Sequence, residues 1–158
     1  MEYRIETMQE TFLAGLKMYM SFQNNQTALL WQRFMAVKMS FTNGKSDLLY
    51  SVEVYPTNFF TQPFDPNKQF EKWAGMLWRE NEQLPENWEI LTVPQGKYAV
   101  FIFQGKHELA AAFYQNIFMN WLPKASLIVD DRPHFALMDE RYKMNDPESV
   151  EEIWIPVK

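Results

Sequence analysis

The stretch LTVPQGKYAVFIFQGKHELAAAFYQNIFMNWLPK, residues 91–124, decides the fold of this chain. In its first part, apolar side chains recur at every second position on both sides of residues 94–96, Pro-Gln-Gly, which predicts two hairpin-like strands joined by a tight turn. Proline presets φ and glycine permits a positive φ in such a turn. After Gly105 the spacing becomes that of an amphipathic helix, which Pro123 ends because its ring cannot continue the hydrogen-bond ladder. The apolar row of that helix is Leu109, Phe113, Ile117 and Trp121.

The order of the predicted elements occurs twice, which indicates an internal duplication. The first half predicts a strand, a helix and two strands, at residues 2–16, 27–41, 48–55 and 70–78. The second half repeats that order at residues 89–104, 108–122, 134–142 and 150–157. A sheet with one helix is too small to be stable alone, so we expect the halves, about 1–84 and 85–158, to pair as one domain over 1–158. The predicted fold is α+β, with antiparallel sheets, two main helices and a ligand cleft at a pseudo-two-fold seam.

The first helix has a predicted core stripe of Leu30, Phe34, Val37 and Phe41, and it has recognisable ends. Asn25 and Thr27 are both suited to cap its N-terminus, and Asn43 with Gly44 is expected to end it. Residues 56–69 contain three prolines and predict a loop that is long enough to form the rim or lid of a cleft.

Composition excludes several classes of protein. The chain has 158 residues, enough for one domain with its own core, and the aromatic share of 16% is high enough to line a cavity as well. It has no cysteine, which agrees with a reducing cytoplasm. No apolar run approaches the ~18 residues that span a bilayer, and the acidic N-terminus does not resemble a signal peptide. A net charge of −5 argues against direct nucleic-acid binding, which needs a basic face.

Catalytic and metal-binding patterns are weak. The chain has no G-x-S-x-G motif, no P-loop and no G-x-G-x-x-G motif. Its two histidines, His107 and His134, lack the spacing of metal ligands and have no cysteine companions. We therefore expect no cofactor, no metal and no catalytic constellation.

The alternation of side chains between the two faces of each strand selects candidate ligand-binding residues instead. In the last strand, Ile153 and Ile155 share one face, and Glu152 and Trp154 share the other. We expect aliphatic faces to pack on the helices and the opposite faces to line the seam. A carboxylate among rings suits an organic cation, because the rings supply cation–π attraction and the acid supplies charge. The alternative is that the rings are ordinary core and the glutamates reach solvent. This alternation predicts a ligand site that consists of Glu53, Tyr55, Met76, Trp78, Phe101, Phe103, Met138, Glu152 and Trp154.

Three motifs follow one another along the whole chain. They are an opening strand at 2–6 followed by Ala14 and Gly15, the pattern V-P-x-G-x-Y-A-V-F at 93–101 followed by a Gly, a helix and W-L-P, and a closing strand at 149–158. Together they resemble the GyrI-like family, the effector-binding domains of bacterial transcription activators. The resemblance implies a duplicated α+β module in a bacterial, cytoplasmic protein that binds a drug-like, hydrophobic or cationic small molecule.

One position departs from the pattern of the family that the chain resembles. Members with a cation-binding pocket carry a glutamate after the Phe in the strand that follows D-x-P, and here Ala136 follows Phe135. This departure weakens the case for lipophilic cations and leaves Glu53 or Glu152 to replace the acid, or a more neutral ligand. The effector-like pattern begins at residue 2, so we expect a stand-alone domain without the family's DNA-binding segment.

The resemblance leaves three functions open. The first is a binding protein that senses or sequesters a hydrophobic small molecule. The second is a hydrolase of reactive hydrophobic compounds, as some relatives of the family are, with Glu53 or Glu152 as the general base; the missing acid at Ala136 counts against it. The third is a role with a protein partner, as the family name implies through inhibition of DNA gyrase.

Overall fold

The computed structural model describes residues 2–42, 48–80 and 82–158, and this part of the chain forms eight strands and two helices. The elements of the first half are β1 (Tyr3–Met8), β2 (Thr11–Met20), α1 (Thr27–Thr42), β3 (Leu49–Val54) and β4 (Phe70–Leu77). The second half consists of β5 (Glu89–Val93), β6 (Gly96–Gln104), helix α2, β7 (His134–Met138) and β8 (Val150–Pro156). The predicted α+β class is confirmed. The predicted helix stop at Asn43 and Gly44 lies outside the described residues.

Helix α2 changes its winding along its length. It consists of a 3-10 turn, an α-helical piece, a π turn and a last α-helical turn, at His107–Leu109, Ala110–Asn116, Ile117–Trp121 and Leu122–Lys124. The π turn lies before Pro123, whose ring would clash with the carbonyl of Met119 in a regular α-helix. The wider turn accommodates that ring, so the helix continues to Lys124 and does not end at Pro123 as predicted.

Helix α1 follows the prediction closely. The Thr27 N–H donates to Asn25 Oδ1 at 2.9 Å, so Asn25 caps the first turn. Leu30 and Phe34 of the predicted core stripe are fully buried. No helix in the described part of the chain is both long and apolar enough to cross a membrane.

The first strands of the two halves form one continuous antiparallel ladder. β1 pairs with β6 and β2 pairs with β5, and Met8 lies opposite Gly96 while Thr11 lies opposite Val93. The register is therefore unchanged across the bends at residues 9–10 and 94–95. The predicted turn at residues 94–96 is wrong, because in the described sheet β5 and β6 pair with other strands and the chain bends without reversing.

The strand order reflects the duplication. It is β1-β6-β8-β7-β3-β4-β2-β5, and exchanging each strand with its counterpart in the other half only reverses this order. The halves join where β3 pairs with β7, and we call this junction the seam. The two halves thus contribute to one antiparallel sheet, and each predicted first strand is a bent pair of strands.

The two faces of the sheet have different cores. On one side, called the helix face, α1 packs on β2 and β4 around Phe34, and α2 packs on β6 and β8 around Ile117. On the other side, called the inner face, side chains from strands pack against one another. Met8 of β1 and Val93 of β5 both join this inner cluster, so the sheet curls around it as a half-barrel.

Candidate functional site

Small side chains form the floor of the seam on the helix face. Ala74 pairs with Ser51, and Ser51 pairs with Ala136, across β4, β3 and β7. Directly paired residues point to the same face, and Ala74 belongs to the core under α1. Because α1 covers β2 and β4 and α2 covers β6 and β8, this row lies between the helices. Small side chains at these buried positions leave more room between the helices than large ones would.

A buried ion pair lies beside this floor. Lys72 Nζ donates to Glu53 Oε1 at 2.9 Å, and the two side chains are only 11% and 14% exposed. Lys72 and Glu53 are paired across β4 and β3, two positions from Ala74 and Ser51, so they share the helix face. Lys38 of α1 is buried as well. Charges are seldom buried in a core that only stabilises a fold, which makes this region a functional candidate.

Glu151 of β8 adds a second carboxylate on the helix face. It pairs with Phe103 of the core under α2 and is only 8% exposed. Burial raises the pKa of its carboxyl, the Lys72 ammonium opposes that shift, and the Glu53 carboxylate adds to it. Lys72, Glu53 and Glu151 therefore interact electrostatically as one group.

Two tyrosines surround these charges. Burial raises the pKa of the Tyr114 hydroxyl well above its ordinary value, and the carboxylates of Glu53 and Glu151 raise it further. Burial and the charge of Glu53 also raise the pKa of Tyr55. Tyr114 is partly exposed as a residue, yet its hydroxyl is buried, and its ring packs against the core under α2.

Aromatic rings close one end of the seam. Phe60 belongs to the predicted lid loop and stacks on Phe118 of α2, with centroids 4.9 Å apart and planes within 4°. These rings lie 5.3 and 6.1 Å from the imidazole of His134, and Tyr55 meets the same imidazole edge-on at 4.9 Å. The loop therefore lies where the sequence places a rim or lid.

His134 is an uncharged part of this wall. Burial lowers its pKa to about 3, with a further contribution from the positive charge of Arg132. The imidazole is therefore neutral near pH 7. Across residues 2–42, 48–80 and 82–158, no group of three or more His, Asp or Glu side chains is arranged to hold a metal ion.

An open apolar pocket of about 260 Å³ borders the same aromatic stack. Its lining consists of Phe60, Phe118, Leu122, Pro123, Leu127 and Val129. Phe60 and Phe118 line this pocket and also contact His134 in the seam. These two rings therefore belong both to the pocket and to the aromatic end of the seam.

The structure separates the nine residues predicted to bind ligand into three groups. The group in the seam is Glu53, Tyr55 and Met138. The group in the cores under the helices is Met76, Trp78, Phe101 and Phe103. The group on the inner face is Glu152 and Trp154. Their role in binding stays a prediction, and the structure does not bring all nine together.

Glu152 and Trp154 belong to a separate network. Trp154 stacks on Phe135 in the inner core, with centroids 5.2 Å apart, and its Nε1 donates to Glu152 Oε1 at 3.0 Å. Arg4 donates to Glu152 at 3.2 Å, and Arg141 lies 3.6 Å from the same carboxylate. This carboxylate is therefore neutralised by two guanidinium groups on the face opposite Glu53.

The expectation that aliphatic strand faces pack on the helices holds in β8 and not in β3. Val52 of β3 packs in the inner core, whereas Ile153 of β8 packs under α2, so aliphatic residues do not mark one face. Glu151 shares its face with Ile153, and the same alternation could have identified it. The alternation along strands says nothing about Tyr114, because this residue lies on helix α2.

The fold is a curled antiparallel sheet with two helices, and a seam lined by aromatic rings lies between the two helices. Together these features define a class of small ligand-binding domains. The chain belongs to the GyrI-like small molecule binding domain family, whose sequence model matches residues 1–158. It is 27% identical over 146 residues to the transcriptional regulator BrlR of Pseudomonas aeruginosa. That match covers 92% of this chain and 51% of BrlR, so the chain spans about half the length of the curated relative it matches.

Solved structures share the fold. SAV2435, solved with bound tetraphenylphosphonium, is 17% identical, with a TM-score of 0.75 over 100% of this chain and 94% of that one. A Staphylococcus aureus MU50 protein described as a bacterial transcription regulator is 20% identical, with a TM-score of 0.71 over 100% and 99% of the two chains. The resemblance that the motifs indicated is thus confirmed in sequence and in fold.

Proposed function

We propose that this domain binds a hydrophobic, drug-like small molecule in the seam between α1 and α2. The observation that carries the proposal is the small floor of Ser51 and Ala136 below aromatic side chains from α2 and from loop 56–69. Aromatic rings bury a large area with few rotatable bonds, so they bind ring-containing compounds at low entropic cost.

The comparisons support a ligand of this kind. The family is one of small-molecule binding domains, and SAV2435 holds the ring-rich cation tetraphenylphosphonium. Glu53 of β3 and Glu151 of β8 lie on the helix face of the two strands that pair with β7, so we propose that they, and not a residue at Ala136, supply the acid character of the seam. Glu152 lies on the inner face and is the weaker substitute.

Binding serves to sense or sequester the compound in a bacterial cytoplasm. A link to transcription would match BrlR, which is named as a transcriptional regulator. The net charge of −5 favours a role without direct nucleic-acid contact. A protein partner that reads the bound state is compatible with this role.

Hydrolysis of the bound compound is the second candidate, and Glu151 favours it. Burial raises the pKa of its carboxyl, which suits a general base. Glu53 is paired with Lys72, and Glu152 is paired with two arginines, so both carboxylates are held by cations. Mass spectrometry of each compound after incubation with the domain separates turnover from simple binding.

Calorimetric titration with a panel of dyes, drugs and tetraphenylphosphonium tests the proposal. Ala136→Leu fills the floor and is expected to weaken a seam ligand by about tenfold or more. Leu137→Met, on the inner face of the same strand, is the matched control and should change affinity by less than about twofold. Trp154→Ala should cost about 3–5 kcal/mol of stability and leave the affinity per folded molecule unchanged. Failure of every compound to bind, or equal effects of the two β7 variants, would contradict the proposal.

A further inference from the structure

Lys72 places a cation inside the proposed ligand site. Its Nζ lies 2.9 Å from Glu53 Oε1, and its side chain is only 11% exposed. The flanking residues of the same strand face, Phe70 and Ala74, belong to the core under α1, and the Lys72 ammonium reaches Glu53 on the neighbouring strand β3, which forms one side of the seam. A lysine held in this way cannot leave without breaking a buried ion pair.

The ammonium group of Lys72 attracts two carboxylates. Besides its hydrogen bond to Glu53, Lys72 exerts an attraction on the buried Glu151 of β8, while the two carboxylates repel each other. The phenol of Tyr114 responds to both carboxylates from the α2 side. Glu53 is therefore already engaged with a positive charge of the protein itself, and the same ammonium also attracts the Glu151 carboxylate.

Building on the proposed function, we infer that Lys72 is a specificity-determining residue, a tethered cation that makes the seam select neutral aromatic compounds over organic cations of the same size. A cationic ligand between Glu53 and Glu151 would have to displace the ammonium or lie beside it. Displacement leaves a buried Lys72 without its partner, and coexistence places like charges close together in a medium of low dielectric. A neutral aromatic compound meets neither penalty, since it contacts the rings and leaves the ion pair intact.

Three probes of related shape and different charge test this inference. They are tetraphenylphosphonium, which is positive, tetraphenylborate, which is its negative counterpart, and triphenylphosphine oxide, which is neutral. For the unmodified domain we expect the neutral probe to bind about tenfold more tightly than the phosphonium. For Lys72→Met we expect phosphonium affinity to rise about tenfold and borate affinity to fall, with the neutral probe changing by less than about threefold.

Two further variants serve as controls. Lys17→Met removes one positive charge from the neighbouring strand β2, where Lys17 pairs with Glu71 and Glu89 beside Trp73 of the inner core. It changes the net charge equally and should leave all three affinities unchanged. Because Lys72→Met leaves the Glu53 carboxylate buried and unpaired, it can unfold the domain. The double variant Lys72→Met with Glu53→Gln removes both charges, keeps Glu151, and should still bind phosphonium about fivefold more tightly than the unmodified domain.

The outcomes distinguish this inference from the proposed function. Suppose that Ala136→Leu abolishes binding of the neutral probe, but neither Lys72 variant changes the ratio of phosphonium affinity to neutral affinity. This result overturns the role of Lys72 and keeps the seam as the site. An equal change of that ratio in Lys17→Met also overturns it, because the effect would then come from net charge. Failure of all three probes to bind every variant overturns both.

Discussion

His134 is a residue of the seam whose environment opposes ionisation. Burial lowers its pKa to about 3, whereas an unperturbed histidine in the unfolded chain has a pKa of about 6.5. As the pH falls, the unfolded chain therefore binds a proton before the folded domain does. The stability that neutral His134 provides is complete above pH ~6.5 and decreases as the pH approaches 3.

We expect this single residue to lower the free energy of unfolding by about 2 kcal/mol between pH 7 and pH 5. Denaturant unfolding at a series of pH values measures the effect. His134→Phe keeps a ring against Phe60 and Phe118 and removes the titrating group, so its unfolding free energy should lose this part of the pH dependence. His107→Gln changes the exposed histidine and is the control. Identical pH slopes for unmodified protein and His134→Phe would refute the buried neutral state.

Single residues also show where sequence reasoning reached its limit at the site. Glu53 and Tyr55 were predicted and lie in the seam, because their strand has one alternation and no bulge. Glu152 was predicted because it shares a strand face with Trp154, but the sequence does not state which face of β8 the helices cover. The face that the helices cover depends on packing between distant segments. A shift of one residue in the register of a strand moves each of its side chains to the opposite face.

At the scale of elements, local signals predicted most of the fold. The apolar row of α1 and its Asn25 cap are properties of adjacent residues, and the helix forms where they place it. The relation between β5 and β6 was not predictable in this way. Pro94 and Gly96 are typical of a turn, yet β5 pairs with β2 and β6 pairs with β1, in each case with residues more than seventy positions away. A long-range ladder in one register decides that the chain bends and does not reverse.

Close approach of β2 and β4 gives a prediction at this scale. Gly15 pairs with Gly75, and a Cβ on Gly15 would collide with the backbone carbonyl of Ala74. Gly15→Ala must push the two strands apart and should cost about 3 kcal/mol of unfolding free energy. Gly75→Ala is the matched control, since its Cβ would meet the Ala14 carbonyl oxygen at 3.2 Å and requires only a small shift, worth about 1 kcal/mol. Denaturant unfolding of both variants measures the difference, and equal losses would show that the collision is relieved elsewhere.

At the scale of the whole molecule, the two halves exchange parts of their structure. β1 of the first half pairs with β6, and β5 of the second half pairs with β2. The core under α1 also includes Trp88 of the second half, whose ring stacks on Phe34 with centroids 4.8 Å apart. Each repeat therefore depends on the other for strand partners and for core, in addition to the seam where β3 meets β7.

This exchange predicts that neither repeat folds alone and that the two fold together. Fragment 1–84 lacks the partner of β1 and the ring that stacks on Phe34, and fragment 85–158 lacks the partner of β5. The buried apolar surface that each loses is too large for a small sheet with one helix to replace. We expect each fragment to show no cooperative thermal transition and no near-ultraviolet circular dichroism. An equimolar mixture should recover both, with a midpoint that rises with concentration because association stabilises the folded form. Each fragment at twice its concentration is the control for self-association, and a cooperative transition in either fragment alone would show that the repeats are independent and that the exchanged strands contribute little.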